Sequence, residues 1–372
     1  MLDPNALPAG EDPREAAHFA GLEYVNEGTP GIRRRRSGRG FRYEGVRGEK
    51  ITDAKLLARI KALAIPPAWT DVWICATAAG HIQATGRDAR GRKQYRYHAR
   101  FRQLRESTKY QHMLAFAEAL PGVREKIAAH LSLRGLKREK VLATVAHLLE
   151  ATLIRVGSDE YARSNKSYGL TTLEHRHVEV RGSHLKFRFK GKSGKTWMLD
   201  VRDRRIANVV RACQELPGQE LFQFVDEDGV THDITSSDVN DYLREISGSN
   251  ITAKDFRTWH GTVLAARALA ESEWHESQAK SKRGIRAATE QVAAALGNTP
   301  AICRKCYIHP EIITCYIEGA LKLDGGERPP GAADAPALGA EEAAVLRLLR
   351  SRLGRRLEDQ LQASLEQIES AC

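Results

Sequence analysis

Late in the chain an amide and a phenol stand nine residues apart, in Leu296-Gly297-Asn298-Thr299-Pro300-Ala301-Ile302-Cys303-Arg304-Lys305-Cys306-Tyr307. A phenol can attack phosphorus, and with a pKa of about 10 it also leaves again, so the transfer is reversible. Such chemistry needs cations to hold the phosphate and an acid for the departing oxygen. Three upstream positions offer them. Arg155, in Leu153-Ile154-Arg155-Val156-Gly157, ends an apolar helix face where a permanent charge needs an anion or water; the plainer alternative is an ion pair with Asp159 or Glu160. Lys192, in Phe187-Arg188-Phe189-Lys190-Gly191-Lys192-Ser193-Gly194-Lys195, sits in a turn that can carry an ammonium to a leaving group. Lys190 and Lys195 compete for that role, and an exposed turn lysine is the alternative. Arg257, in Lys254-Asp255-Phe256-Arg257-Thr258-Trp259-His260-Gly261, falls in the first turn of a predicted helix, where the dipole disfavours cations. Lys254, Arg257 and His260 share a face there, which suggests an anionic ligand; the alternative is surface charge balanced by Asp255.

These side chains depend on the elements around them. Gly297 to Pro300 reads as a helix stop and restart, with Asn298 or Thr299 as the cap. Tyr307 falls about two turns into the new helix, which Pro310 kinks or ends. Upstream, Met113, Phe116, Ala117 and Leu120 share one helical face, and Val141, Val145, Leu148, Leu149 and Thr152 share another, on a helix running towards Arg155. Runs of β type follow at His177–Val180, Leu185–Lys190 and Thr196–Val201; Gly191 and Gly194 between the last two predict a hairpin. Helices are predicted over Arg204–Leu216, Ser237–Ile246, Lys254–Ala270 and Thr289–Leu296, with Thr252-x-x-Asp255 as a capping box. Residues 40–97 instead read as short strands and turns. Asp71–Cys75 and His81–Ala84 are strand-like, Gly86–Gly91 is turn-rich, Asp53–Leu63 is a helix, and Ile65-Pro66-Pro67-Ala68-Trp69 is a rigid extended entry.

The expected organisation is α+β: a flexible leader (1–30), a β-rich N-terminal domain (31–103), a mainly helical domain with a β-hairpin (104–323), a Gly/Pro/Ala-rich linker (324–340) and an amphipathic C-terminal helix (341–372) interrupted at Gly354. The chain has 372 residues, a net charge of +11 and 42% hydrophobic content, which predicts a folded protein with a polyanionic partner. Between Gly31 and Lys50 eight Lys or Arg stand against two Glu, interleaved with Phe41 and Tyr43, as in a phosphate-contacting arm. No membrane span or secretory signal is expected, so a cytoplasmic, nucleoid-associated location follows. The six cysteines are expected as reduced thiols. Zinc at Cys303, Cys306, His309 and Cys315 is disfavoured because all four lie in one short run.

In their order and combination, Arg155, Lys192, Arg257, Asn298 and Tyr307 resemble the catalytic set of the type IB DNA topoisomerases, in the small poxvirus-type form found also in bacteria. Gly40-Phe41-Arg42-Tyr43, Ile65–Trp69, Val72-Trp73-Ile74 and Gly86–His98 look like the same family, so the resemblance runs from about Gly40 to Gly319. It implies a topoisomerase core that clamps DNA as a monomer. Tyr307 would form a 3′-phosphotyrosyl link, Arg155 and Arg257 would hold the non-bridging oxygens, and Lys192 would protonate the 5′-oxygen. Asn298 takes a position that is often histidine in the family. The resemblance implies no metal, no nucleotide cofactor and relaxation of supercoils of either sign, with double-stranded DNA as partner. Positions matching Gln94, Tyr95 and Tyr97 reach DNA in the family; here they follow the basic turn of Arg87, Arg90, Arg92 and Lys93, with Lys254 a further contact. The rivals are a tyrosine site-specific recombinase, with the same chemistry, and a non-catalytic basic DNA-binding protein.

Overall fold

The computed structural model describes residues 13–272, 274, 277–323 and 338–369. The chain is an α+β protein that divides into two compact units, Met1–His112 and Met113–Cys372.

In the first unit α1 (Pro13–Phe19) precedes β1 (Gly31–Ser37), β2 (Gly40–Glu44), α2 (Ala54–Ala62), β3 (Thr70–Cys75), β4 (Ile82–Arg87) and β5 (Lys93–Tyr97). The strands form one antiparallel sheet in the order β2-β1-β3-β4-β5. Alternation decides its faces. Ile32, Val72, Ile74 and Ala84 meet Ile60 of α2, whose start is fixed by the Asp53 carboxylate accepting from the Leu56 N–H at 2.7 Å. Trp73 and Cys75 point the other way and meet Val25. Residues 13–30, expected as part of a loose leader, therefore hold structure: buried Ala17 and Val25 anchor them, a signal too sparse to show in a polar stretch. Residues 1–12 lie outside the described residues. The entry at Ile65–Trp69 is not wholly extended. Pro67 and Ala68 form a turn closed by the Trp69 N–H to the Pro66 carbonyl at 3.1 Å. Arg34 staples this turn, donating to the Pro66 and Trp69 carbonyls at 3.1 and 2.7 Å while lying over Phe41. One cation of the expected arm is thus structural.

Helix α3 (Ala99–Leu131) crosses the border between the units. In the second unit it is followed by α4 (Arg138–Thr152), α5 (Asp159–Asn165), β6 (Val178–Arg181), β7 (His184–Lys190), β8 (Thr196–Arg202) and α6 (Arg204–Gln214). Then come β9 (Gln223–Val225), β10 (Thr231–Asp233), α7 (Ser236–Ser247), α8 (Ala253–Ala270), α9 (Gln278–Leu296), α10 (Pro300–Cys306), α11 (Pro310–Ile317) and α12 (Ala340–Glu369). The apolar faces anticipated on α3 and α4 are buried. Strands β6, β7 and β8 form an antiparallel sheet in which Leu185, Phe187 and Phe189 turn inward and the intervening Lys186, Arg188 and Lys190 face out. At the start of α8 the Asp255 carboxylate accepts from the Thr252 N–H and hydroxyl, both at 2.8 Å.

Three differences from the sequence reading have local causes. The β9–β10 hairpin is too short to register as a periodic pattern. Helix α9 starts at Gln278, well before Thr289; its first half is basic and holds Gly284, which hides the helical pattern in the sequence, and Gly284 packs against the hydroxyl end of Tyr316. Helix α12 runs on through Gly354: a glycine costs about 1 kcal/mol against alanine in a helix, which weakens it without breaking it. The expected linker lies, from 324 to 337, outside the described residues. Among the described residues no helix is long and apolar enough to cross a membrane.

Candidate active site

The ends of α4, α8 and α10, with α5 and the β7–β8 hairpin, surround one cleft of about 260 Å³. Helix α4 stops because Leu153 adopts a left-handed conformation, φ 56°. The chain then swings out to Arg155 and is clasped by the 168–172 segment, where the Leu170 and Thr171 N–H groups donate to the Arg155 and Val156 carbonyls at 2.9 and 2.7 Å. Gly157 (φ +117°) and Gly169 make the clasp possible, since a Cβ on Gly169 would come within 2.6 Å of Gly157. The ion pair with Asp159 or Glu160 does not form. The Arg155 guanidinium instead donates to the Asn298 Oδ1. Burial lowers its pKa, with Tyr307 and Cys303 acting in the opposite sense.

Arg257 is not a surface charge. It is 3% exposed and donates to the Leu153 carbonyl and, at 2.6 Å, to the Leu296 carbonyl. Its guanidinium carbon lies 5.5 Å from the Tyr307 ring centroid, and its Nε has no partner. Burial and the neighbouring Arg155 both lower its pKa, while Tyr307 opposes them. Two guanidiniums thus stand close together, held by neutral oxygens rather than carboxylates. Arginine stays charged even so, and the uncompensated charge suits an anion with two accepting oxygens.

Tyr307 does not sit inside a helix. It is the C-cap of α10, at φ −129° and ψ −6°, and His309 opens α11 two residues on. The junction between them rests on α8. Thr262, fully buried, donates to the Tyr307 carbonyl at 3.2 Å or to the Thr258 carbonyl at 3.0 Å, and accepts from the His309 N–H at 3.1 Å. A Cβ at Gly261 would lie 2.8 Å from the Tyr307 carbonyl oxygen, so the tyrosine backbone lies directly on that glycine. The cap of α10 is Thr299, whose hydroxyl accepts from the Ile302 N–H at 3.4 Å. That leaves the Asn298 amide for Arg155, with its Nδ2 buried and unpartnered.

Of Lys190, Lys192 and Lys195, one lines the cleft. Lys192 lines it, exposed on the one-turn 3-10 helix between β7 and β8, its Nζ 5.8 Å over the Tyr161 ring. Lys190 and Lys195 do not line it, and Lys195 leans on Trp197 instead. Lys254 is exposed at the cleft as well. Tyr316 is 3% exposed, bonded to Ser272 and outside the cleft lining. Cys75, Cys213, Cys303, Cys306 and Cys315 form no disulfide among the described residues, and all but Cys306 are buried. Cys303 and Cys315 sit on different helices, so the single helical run expected to hold both is in fact two.

Residues 98–322, more than half of the chain, match the family model of the eukaryotic DNA topoisomerase I catalytic core. Residues 40–88 match that of the bacterial DNA topoisomerase IB N-terminal domain. DNA topoisomerase 1B of Acanthamoeba polyphaga mimivirus is 32% identical over 294 residues, which cover 77% of this chain and 87% of that protein. The chain belongs to the type IB DNA topoisomerases. It is therefore an enzyme of the type I topoisomerase class, and neither a recombinase nor a non-catalytic binder.

In the N-terminal unit of this topoisomerase the basic turn is organised by Asp88. That carboxylate accepts from Arg92 at 2.8 Å and from the Gln94 amide at 3.0 Å. Arg87 reaches the Gly91 carbonyl at 3.0 Å, and Lys93 pairs with Glu27 at 2.8 Å. Tyr95 is exposed and stacks on Tyr97, which stacks in turn on Phe101. In the catalytic unit, residue-by-residue reading missed Gly157, Gly169, Gly261 and Thr262. The three glycines act through close backbone approach and Thr262 through its hydroxyl on the Tyr307 carbonyl; the one available signal, glycine inside or beside otherwise regular elements, points only to the glycines.

Proposed function

We propose that this type IB enzyme relaxes duplex DNA of either supercoil sign by opening and resealing one strand through Tyr307. The Tyr307 oxygen bonds to the phosphorus as the bond to the 5′-oxygen breaks, leaving a 3′-phosphotyrosyl link and a free 5′-hydroxyl. The phenolic proton passes to water and Lys192 gives its own to the 5′-oxygen, so protons balance and no electrons change hands. Arg155 and Arg257 bind the non-bridging oxygens, where negative charge gathers in the transition state. Asn298 adds a neutral donor and holds Arg155 in place. One phosphodiester is exchanged for another, so resealing needs no ATP. The two guanidiniums and the ammonium supply the charge stabilisation that a metal ion offers elsewhere. While the link persists, the duplex turns about its intact strand.

The observation that carries this reading is the position of the Tyr307 ring against buried Arg257, beside an Arg155–Asn298 pair, in a cleft that also holds Lys192. On the same reading the N-terminal unit completes a clamp on the duplex. Arg87, Arg92 and Lys93 contact phosphates, and Gln94, Tyr95 and Tyr97 the groove; Lys254 adds a phosphate contact beside the cleft. Relaxation of a supercoiled plasmid in EDTA without ATP is the expected result. Tyr307→Phe should abolish relaxation and the covalent protein–DNA adduct while retaining duplex binding. Relaxation by that variant, or an adduct mapped to Tyr316, would overturn the assignment.

A further inference from the structure

We infer that Trp197 is the positioning residue that sets the Lys192 hairpin against the Asn298 junction, fixing the leaving-group acid relative to the phosphate clamp. This rests on the reading of Lys192 as that acid. Trp197 lies in β8, 7% exposed, paired in register with Phe189 and stacked on its ring at 6.4 Å with an interplanar angle of 7°. The indole is flanked by two glycines. A Cβ at Gly191 would lie 2.6 Å from its Nε1 and 2.7 Å from its Cδ1; one at Gly297 would lie 2.4 Å from its Cζ2.

Gly191 is the telling member. Its φ of −96° and ψ of −168° suit any residue, so nothing in its backbone calls for glycine. The missing side chain makes room for the indole alone. Gly297, at φ +61°, serves twice, as the left-handed cap of α9 and as the other wall. The pyrrole edge of Trp197 therefore abuts the residue before Lys192, and its benzo edge the residue before Asn298. A rigid bicyclic spacer joins two segments about a hundred residues apart. Lys195 spans the same gap, its Nζ 5.7 Å over the indole and 3.5 Å from the Ala294 carbonyl in the last turn of α9. The turn's own hydrogen bonds, Gly191 N–H to Lys195 and Gly194 N–H to Gly191, fix its shape but not its distance from α9.

The test separates positioning of the acid from plain core packing. In a duplex whose scissile 5′-oxygen is replaced by sulfur, the leaving group is a thiolate. With a thiol pKa of about 8.5, it departs without the proton that a far more basic alkoxide leaving group requires. Single-turnover cleavage by the full chain is measured on the oxygen and sulfur duplexes. Lys192→Ala should lose about a hundredfold or more on oxygen and little on sulfur. Trp197→Ala should lose at least about tenfold on oxygen and stay within about threefold of the parent on sulfur, with Trp197→Phe between. Gly191→Ala, which displaces the indole without removing it, should repeat the oxygen-specific loss and keeps the test valid if Trp197→Ala does not fold. Equal losses on both substrates for the Trp197 and Gly191 variants would overturn the inference. Lys192→Ala equally slow on both would overturn the acid assignment, and the role of Trp197 with it.

Discussion

In the proposed mechanism Asn298 supplies a neutral amide at the position that the resemblance matches to a frequent histidine. Its Oδ1 accepts from Arg155, which turns its Nδ2 into a buried donor with no protein acceptor. A buried unpaired donor costs about 1–3 kcal/mol, a cost that a phosphate oxygen would remove on binding. Asn298→Asp keeps the shape and inverts the function, because the new anion neutralises Arg155 and repels the phosphate. Single-turnover cleavage should fall by about 10²–10³, the usual loss for one oxyanion donor, while duplex affinity changes far less. Cleavage within about threefold of the parent would remove Asn298 from the proposed clamp.

At the scale of elements, α8 is held from two sides. One side presents Arg257, Gly261 and Thr262 to the cleft and to Tyr307. The other presents Trp259, whose Nε1 donates to Glu342 of α12 at 3.1 Å, while Arg124 of α3 binds both Glu342 oxygens at 2.9 and 3.0 Å. Burial alone would raise the Glu342 pKa, but Arg124, the Gly339 N–H and Trp259 together hold it below the usual carboxylate range. A carboxyl lowered by folding gives stability that is complete above its unfolded value of about 4.3 and is lost as pH falls through the folded value. Docking of α12 should therefore weaken only in acid. Glu342→Ala, which takes one of two carboxylates from a mostly buried Arg124 and leaves it Glu150 at 2.8 Å, should cost about 1–3 kcal/mol at neutral pH, read by urea unfolding. The gap between parent and variant should close below about pH 4. A gap unchanged by acid would show that the ion pair does not hold the helix.

For the whole molecule, a net charge of +11 makes duplex affinity a salt-dependent quantity. Many of the cations are already engaged: Arg34 on carbonyls, Arg92 on Asp88, Lys93 on Glu27 and Arg124 on Glu342. Lys254, exposed beside the cleft, has no carboxylate partner among the described residues. In the Tyr307→Phe background, Lys254→Ala should weaken binding to duplexes of any sequence and reduce the slope of log affinity against log salt by about 1. An unchanged slope would mean that Lys254 meets no phosphate.

Local chemistry was legible in the sequence. The apolar spacing of α3 and α4, the Asp53 and Asp255 caps, the glycine-bearing β7–β8 turn and the helix break at Gly297 all depend on neighbours a few residues away. The residue types of the clamp, Arg155, Lys192, Arg257 and Tyr307, were legible in the same sense. Their environments were decided elsewhere. Arg257 reads as surface charge until carbonyls of Leu153 and Leu296, far along the chain, close over it. Tyr307 reads as mid-helix until Gly261 and Thr262 hold it at a helix end. Lys192 differs from Lys190 and Lys195 only in which of them faces the cleft. The sequence by itself determined which groups could perform phosphoryl transfer at a tyrosine. The tertiary structure decided which of them meet, because burial and orientation come from contacts between segments that no local pattern encodes.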